Sequence, residues 1–498
     1  MSNDYIALYT FSEGGAPKQN SNFNGAKIPK FIGSLPSLRY LNLSCNWFYG
    51  RVLPHIGNLS KLTYLDLKPS DSFSLELYSG VVHWLSHLSS LQHLDLSHMN
   101  LTAAVDWVHQ INMLPALRKL YLQYTGIRNR VAFPGQSNLT ALEVLDILGN
   151  NFSTTISPNW FWNTTSLTFL NLKGCNFQGP ILDSIGNMTS LEQVYFQWNN
   201  LMATMIPVPP QIGNLSKLTY LDLKPSDSFS LELYSGDVHW LSHLSSLHHL
   251  DLSHMNITAA VDWVHQINML PALRKLYLQY TGIRNRVAFL GQSNIMALEW
   301  GAPKRNSNFN GAKIHEFISS LPSLRYLNLS YNWFYGRVLP QIGNLSKLTY
   351  LDLKPSDSFS LELYSGDVHW LSHLSSLQHL DLSHMNLTAE VDWVHQINML
   401  PALRKLYLQY TGIRNRVAFP GGAPKRNSNL NGAKIPEFIR SLPSLRYLNL
   451  SYNWFYGRVP PQIGNLSKLT YLDLKPSDSF SLELYSGDVH WLSHLSSL

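Results

Sequence analysis

Residues 167–191 decide how this chain folds. They read Leu-Thr-Phe-Leu-Asn-Leu-Lys-Gly-Cys-Asn-Phe-Gln-Gly-Pro-Ile-Leu-Asp-Ser-Ile-Gly-Asn-Met-Thr-Ser-Leu, and the last leucine begins the same pattern again. Leu170 and Leu172 are two residues apart, so on a strand both point to the same face. One strand of this kind cannot bury its apolar face alone. Copies stacked about 4.8 Å apart would share a continuous leucine core under a parallel sheet.

The same pattern recurs along most of the chain. Its opening leucine stands at positions 38, 62, 91, 117, 142, 167, 191, 218, 247 and 273, and again at 324, 348, 377, 403, 445 and 469. A sustained period of this length indicates a leucine-rich repeat. We therefore predict an α/β leucine-rich-repeat solenoid. It should be curved, with a parallel β-sheet on its concave face and irregular or 3-10 turns on its convex face.

Internal duplication divides this array. Residues 1–34 are weakly patterned and contain a partial repeat whose strand half we expect to be missing, whereas 35–498 form the repeat array. Blocks of nearly identical sequence meet at two seams, near 290–320 and 418–441, with a decayed unit at Leu298. The longer repeats carry an insert that should bulge on the convex side or rim, because the spacing between strands is fixed.

The overall charge and composition exclude several classes of partner. The net charge is +6 and the basic residues are spread one or two to a repeat, so we predict no nucleic-acid partner. No run of 18 apolar residues occurs, which predicts no membrane span, and the first ten residues do not resemble a secretory signal. We expect Cys45 and Cys175 each to pack near a turn as a small apolar residue.

Motifs of catalytic chemistry are not found in the sequence. It shows no phosphate loop, zinc-ligand cluster or nucleophile elbow, and its many histidines recur because their block is duplicated. We predict no catalytic residue, no metal site and no cofactor, so the protein is not expected to be an enzyme.

The strand residues that alternate with the buried leucines are the candidate binding surface. We expect them to be exposed on the concave face, where rigid aromatic side chains favour protein recognition. The candidate ligand-binding residues are Tyr40, Tyr64, Asp66, Lys68, His93, Asp95, Lys119 and Tyr121. The same columns recur near 220–280 and 350–410, which predicts a second copy of the patch. Because histidine titrates near neutrality, we expect binding there to respond to mildly acid pH.

Asparagine sequons recur in the Gly-Asn-Leu-Ser turn and its Gly-Asn-Met-Thr variant. The candidate glycosylation sites are Asn58, Asn187, Asn214, Asn344 and Asn465. Three other sequon asparagines, Asn42, Asn328 and Asn449, lie on strands between two inward leucines, where a glycan would fill the concave face.

The second half of each repeat resembles plant extracellular leucine-rich repeats. It reads Gly-Arg-Val-Pro-Pro-Gln-Ile-Gly-Asn-Leu at 457–466 and Gly-Pro-Ile-Leu-Asp-Ser-Ile-Gly-Asn-Met at 179–188. The phrases Leu-Arg-Tyr-Leu-Asn-Leu-Ser (38–44), Ala-Val-Asp-Trp (104–107) and Asn-Trp-Phe-Trp-Asn (159–163) look like grass receptor-like proteins related to the receptor for fungal ethylene-inducing xylanase.

This resemblance implies an ectodomain, or a fragment of one, at the extracellular face of the plasma membrane. It would recognise a protein or peptide elicitor in plant immunity and signal through a co-receptor kinase, as in the family. Two alternatives stay open: a secreted inhibitor of a pathogen cell-wall enzyme, similar to polygalacturonase-inhibiting proteins, and a duplicated gene fragment that folds but does not signal.

Overall fold

A computed structural model of the chain describes most of its residues. The described residues are 5–7, 27–70, 74–78, 82–104, 106–128, 137–156, 160–201, 208–226, 232–234, 238–260, 263–283, 321–334, 336–338, 340–356, 361–362, 367–387, 393–413, 442–453, 455, 457–459, 461–476, 482–483, 493 and 495. The chain divides into two compact units, Met1–Leu247 and His248–Leu498.

Three-residue parallel strands form the main sheet of the first unit. Each strand pairs in register with the next, so that Leu41, Leu65 and Leu94 lie opposite one another. These leucines are fully buried, and this confirms the predicted leucine core and parallel sheet. The strands are Tyr5–Ala7, Tyr40–Asn42, Tyr64–Asp66, His93–Asp95, Lys119–Tyr121, Val144–Asp146, Phe169–Asn171, Gln193–Tyr195 and Tyr220–Asp222.

The second unit repeats this sheet. Its strands are His249–Asp251, Lys275–Tyr277, Tyr326–Asn328, Tyr350–Asp352, His379–Asp381, Lys405–Tyr407, Tyr447–Asn449 and Tyr471–Asp473. Lys275–Tyr277 pairs directly with Tyr326–Asn328, and Lys405–Tyr407 pairs directly with Tyr447–Asn449. The sheet therefore passes both predicted seams by direct pairing of the flanking strands. The ranges 290–320 and 418–441 themselves lie outside the described residues.

Short helices form the side of each repeat opposite the main sheet. The 3-10 helices are Lys30–Ser34, Pro54–Asn58, Val82–His87, Trp160–Asn163, Asp183–Asn187, Pro210–Asn214, His239–His243, Pro340–Asn344, Asp367–His373 and Pro461–Asn465. Proline at the first position presets the helical φ angle. The sequence Trp-Val-His-Gln-Ile-Asn forms a short α-helix each time it occurs, at Trp107–Asn112, Trp263–Asn268 and Trp393–Asn398. The predicted 3-10 turns are thus confirmed, with α-helix added in these repeats.

Part of the insert of the longer repeats forms a strand outside the main sheet, where the sequence predicted only a bulge on the convex side or rim. In the first unit Leu75–Tyr78 pairs in parallel with Gly50–Arg51 on one side and Asn100–Ala103 on the other. The alternation of Leu75, Glu76 and Leu77 explains this, because both leucines are buried. The remaining strands outside the main sheets are Glu232–Tyr234, Asn256–Ala259, Gly336–Arg337, Leu361–Glu362, Gly457–Arg458 and Leu482–Glu483.

The amino-terminal partial repeat also differs from the prediction. Its strand half is not missing, because Tyr5–Ala7 pairs in register with Tyr40–Asn42. A sheet edge presents unpaired backbone groups that any extended segment can satisfy. Residues 30–34 supply the 3-10 helix of the same repeat.

The two cysteines have different environments. Cys175 is buried as predicted, its Sγ lies 3.0 Å from the carbonyl oxygen of Ile147, and burial raises the pKa of its thiol to about 12. Cys45 is exposed, so the prediction that it packs as an apolar residue is wrong. Its backbone has a φ of 56°, which turns its side chain out at the end of the strand.

Threonine and asparagine side chains tie neighbouring repeats together just after the strands. The Oδ1 atom of Asn150 accepts hydrogen bonds from the backbone nitrogen and the hydroxyl of Thr125, and its Nδ2 atom donates to the carbonyl oxygens of Leu122 and Ile147. The pair Thr281 and Asn332 repeats this arrangement. The pair Thr411 and Asn453 does so too. Both later pairs join strands that flank a predicted seam.

Candidate strand-face site

Aromatic rings from successive strands stack into a row on the first unit's main sheet. The rings of Tyr40 and Tyr64 lie 4.1 Å apart between centroids at an interplanar angle of 13°, and those of Tyr64 and His93 have the same geometry. Tyr121 continues the row with a tilted contact 5.3 Å from His93. The row forms because equivalent positions on paired parallel strands are about 4.8 Å apart, which is close to the distance between the centroids of two stacked rings.

The aspartates of the site face the turns rather than the solvent. Asp66 Oδ1 accepts a hydrogen bond from the backbone nitrogen of Lys68 at 3.1 Å, and Asp95 Oδ1 accepts one from Ser97 at 2.8 Å. Asp66 is buried, and His93 and Asp95 are half-buried. The expectation that these three side chains are exposed is therefore wrong. The aspartates cap the turn after the strand, and the rings cover one another.

Burial also shifts the pKa values of the site's carboxyl and imidazole groups in opposite directions. Burial, followed by the charge of Asp95, raises the pKa of Asp66 from 3.8 to about 6. Burial lowers the pKa of His93, and the carboxylate of Asp95 only partly offsets this. The carboxyl pKa therefore moves towards the mildly acid range and the imidazole pKa moves down, and the predicted response of binding to mildly acid pH stays a prediction. The half-buried site removes hydration from the charged imidazolium, and the attraction of Asp95 does not fully compensate for this loss.

The remaining candidate residues lie around this row. Lys119 is exposed at the start of its strand, Tyr121 is half-buried at its end, and Lys68 is half-buried beside Asp66. Stacking brings Tyr40, Tyr64, His93 and Tyr121 into one surface with mixed charge around it. Its role in binding stays a prediction.

The second unit carries a longer version of the row. Ring contacts of 3.9–5.0 Å between centroids connect each member to the next. The members are His249, Tyr277, Tyr326, Tyr350, His379, Tyr407, Tyr447 and Tyr471. The row passes both seams because each seam places a tyrosine strand next to another tyrosine strand.

The structure also contains a second aromatic row, which the sequence analysis did not predict. It lies at the turn after the strands, where Tyr280 and Tyr331 stack at 4.3 Å and Tyr410 and Tyr452 stack at 4.4 Å. All four residues have φ of 55–57°, an uncommon conformation for a bulky side chain. The signal that could have revealed it is tyrosine two residues after the strand leucine, in the repeated Asn-Leu-Ser-Tyr-Asn and Tyr-Leu-Gln-Tyr-Thr.

The sequons fall into two structural classes. Asn58, Asn187, Asn214, Asn344 and Asn465 are exposed, each as the last residue of a 3-10 helix. Asn42, Asn328 and Asn449 are buried, with relative exposures of 8%, 5% and 6%. The Oδ1 atom of Asn42 accepts hydrogen bonds from both the backbone nitrogen and the hydroxyl of Ser44, so its amide is part of the turn.

The described part of the chain carries neither a metal-ion cluster nor a membrane-spanning helix. It contains no group of three or more histidine, cysteine, aspartate or glutamate side chains placed to hold a metal ion. It contains no helix of the length and hydropathy that a membrane span requires.

Comparison with known proteins identifies the repeats. The family model described as Leucine Rich Repeat matches residues 37–59, 166–188, 323–345 and 444–466. The tomato (Solanum lycopersicum) receptor-like protein EIX1 is 37% identical over 178 residues, which are 35% of this chain and 17% of that protein. Receptor-like protein 39 of Arabidopsis thaliana is 26% identical over 428 residues, which are 84% of this chain and 40% of that protein. The chain therefore carries leucine-rich repeats and is similar in sequence to plant receptor-like proteins.

The chain spans less than half the length of these relatives. Among solved structures, the plant peptide hormone receptor RGFR1, in complex with RGF2, is similar with a TM-score of 0.59 at 20% identity over 95% of this chain and 68% of that one. A leucine-rich-repeat protein of Leptospira interrogans gives 0.56 at 20% identity over 85% of this chain and 92% of that one. At these identities the likeness shows the fold alone, and it confirms the predicted solenoid. The family match is to a repeat module and not to a catalytic domain.

Proposed function

We propose that the chain is a ligand-binding ectodomain, or part of one, of a receptor-like protein that recognises a protein or peptide elicitor in plant immunity. The single observation that supports this most is the strand-face row of Tyr40, Tyr64, His93 and Tyr121. Its rings are held by their neighbours before any ligand arrives, so binding costs little side-chain entropy. The sequence similarity to receptor-like proteins supports the same role.

The chemistry of this face favours a polar protein surface as the ligand. Tyrosine edges and hydroxyls alternate with half-buried aspartate and with the exposed Lys119. Aromatic residues of this kind supply most of the binding energy at protein interfaces, whereas charged rim residues mainly set specificity. In this proposal the protein has no enzymatic activity of its own. It acts at the extracellular face of the plasma membrane, with a co-receptor kinase supplying the signal.

Binding of the full chain to a purified fungal ethylene-inducing xylanase tests this proposal. The variant Tyr64→Ala/His93→Ala/Tyr121→Ala removes the row in the first unit, and Tyr350→Ala/His379→Ala/Tyr407→Ala removes its copy in the second. The control variant His87→Ala/His109→Ala/Met113→Ala changes exposed residues on the helix side of the same repeats.

We expect each row variant to lower the amount of bound xylanase, the combination to abolish binding, and the control to bind like the parent. Loss of binding in the control alone would contradict the strand-face site. Inhibition of a fungal polygalacturonase by the full chain, without xylanase binding, would instead support the secreted-inhibitor alternative. Binding to neither enzyme would favour another elicitor or a fragment that does not signal, and a panel of elicitor proteins on the same variants separates these two.

A further inference from the structure

The turn-side tyrosine pairs lie at the two predicted seams and nowhere else among the described residues. Tyr280 and Tyr331 each follow a strand. The two strands are adjacent in the sheet, but a long segment of sequence separates them. Tyr410 and Tyr452 have the same relation at the second seam. The two ring pairs are nearly parallel, with interplanar angles of 4° and 6°. The same arrangement therefore arises twice, at intervening segments of different length.

A lysine holds one ring of each pair in place. Lys354 Nζ donates a hydrogen bond to Tyr331 Oη at 2.8 Å and lies 4.6 Å from the ring centroid. Lys475 Nζ does the same for Tyr452, at 3.0 Å and 4.8 Å. The rings also have access to solvent, since Tyr410 is 39% exposed and the other three rings are half-buried. Each pair is thus fixed, parallel and reachable by a dissolved oxidant.

We propose that Tyr280–Tyr331 and Tyr410–Tyr452 are oxidative coupling sites that form dityrosine across the seams. In the presence of hydrogen peroxide and a haem peroxidase, each phenol loses one electron and one proton. The two phenoxyl radicals then join through a carbon–carbon bond between ring positions ortho to the hydroxyls. The hydrogen on each of these carbons moves to the oxygen and restores the phenol. The peroxide takes up the two electrons and two protons and becomes two molecules of water.

The expected consequence is a covalent staple at each seam. A bond between residues 280 and 331 closes the segment between them into a loop, which restricts the unfolded chain as a disulfide would. The modification would therefore join the repeats on either side of each predicted seam. This inference stands on the ring geometry and does not depend on the proposed ligand.

The first block supplies a matched control in the same molecule. Tyr124 has the same turn position and positive φ as Tyr280 and Tyr410, and it is 45% exposed. The residue in the corresponding place of its next repeat is Gly149, where an added β-carbon would collide with the Tyr124 ring. Tyr124 therefore reports the reactivity of an accessible tyrosine at this position that is not stacked on a second tyrosine.

The test treats the full chain with a haem peroxidase and hydrogen peroxide, and follows dityrosine fluorescence and tryptic peptides by mass spectrometry. We expect a species in which Leu-Tyr-Leu-Gln-Tyr-Thr-Gly-Ile-Arg is joined to Tyr-Leu-Asn-Leu-Ser-Tyr-Asn-Trp-Phe-Tyr-Gly-Arg with the loss of two hydrogens. Both seams give the same two peptides, at 276–284 with 326–337 and at 406–414 with 447–458. Each of the substitutions Tyr331→Phe and Tyr452→Phe removes the coupling tyrosine of one seam, so the joined peptide that remains comes from the other seam.

Phenylalanine keeps the stacking but cannot form a phenoxyl radical. We expect each single variant to lose about half of the joined peptide, the double variant to lose nearly all of it, and Tyr124→Phe to lose none. Absence of the joined peptide in the parent would overturn the proposal, as would joined peptide that forms only between different molecules. Loss of the joined peptide in Tyr326→Phe/Tyr447→Phe, with full yield in Tyr331→Phe/Tyr452→Phe, would place the coupling in the strand-face row and would also contradict it.

Discussion

Two copies of one sequence sit in different surroundings in this protein. The first copy carries Asp66 and His93, and the second carries Asp352 and His379 at the same places in the same repeat sequence. Both aspartates accept the backbone nitrogen of a lysine two residues later at 3.1 Å. Yet the pKa of Asp66 is raised to about 6 and that of Asp352 to about 7, and burial lowers the pKa of His379 to about 4.

The two copies also differ in the rings that flank them. Next to Tyr326 in the second copy stands Tyr277, whose ring stacks at 4.3 Å, and beyond Tyr407 stands Tyr447 at 4.5 Å. In the first copy the strand beyond Lys119–Tyr121 is Val144–Asp146, which has no ring. Residues of a repeat array therefore acquire their properties from neighbouring units as well as from their own sequence.

The largest expected effect comes from placing a charge in the leucine core of each copy. Leu96→Asp and Leu382→Asp replace side chains that are each 1% exposed. An unpaired buried carboxylate should cost on the order of 3–5 kcal/mol in either place. Thermal unfolding should show a lower melting temperature for both variants, with the conservative Leu96→Ile and Leu382→Ile as controls. Melting at the parent temperature would mean that the inward side of the strand is wrongly assigned.

The next largest effect on stability should come from the hydrogen bonds that bridge repeats. Removing them at a regular interface and at a seam compares the two. Asn150→Ala removes the bonds to Thr125 and to two carbonyl groups, and Asn332→Ala removes their equivalents across the first seam. Each should lower the free energy of unfolding by about 2–3 kcal/mol, because buried partners are left unsatisfied. Chemical denaturation measures both. A clearly smaller loss for Asn332→Ala would mean that the seam does not pack as a regular interface does.

Position within the repeat, rather than the sequon itself, should decide glycosylation. When the protein is secreted from plant cells, we expect no glycans on the strand asparagines and glycans on the five exposed ones. These are Asn58, Asn187, Asn214, Asn344 and Asn465. The amides of Asn42, Asn328 and Asn449 are buried and already bonded within their turns. Glycopeptide mapping gives the occupancy of each site. High occupancy of the three strand sites would exclude a ligand from those repeats.

Much of this fold could be predicted because a leucine repeat encodes its register directly. The positions of Leu94 and Leu96 and the parallel sheet followed from spacing alone. The strand at Tyr5–Ala7 could not, because it pairs over a sequence distance that breaks the repeat period. The row of rings was visible as a column of residues, but its self-burial was not, since that depends on stacking between units. The capping role of Asp66 had a local signal, an acidic residue just before a turn, which also explains why Asn42 replaces it elsewhere.

The measurement that tests the central comparison most directly is the pH dependence of stability in Asp66→Asn and Asp352→Asn. A carboxyl group whose pKa is raised by folding holds its proton more tightly in the folded state. The parent therefore loses stability as the pH rises from about 3.8 towards the folded pKa, and above that value the loss is complete. Asparagine does not titrate and can accept the same backbone nitrogen, as Asn42 does from Ser44 at 2.9 Å.

Thermal unfolding of both variants and the parent should be recorded from pH 4 to pH 8.5 in steps of about half a unit. We predict that each variant gains stability over the parent as the pH rises. The gain should level off near pH 6 for Asp66→Asn and near pH 7 for Asp352→Asn. Variants that gain no stability over the parent as the pH rises, or that are less stable than the parent at pH 8, would contradict the claim that burial in the repeat array raises the pKa of both aspartates.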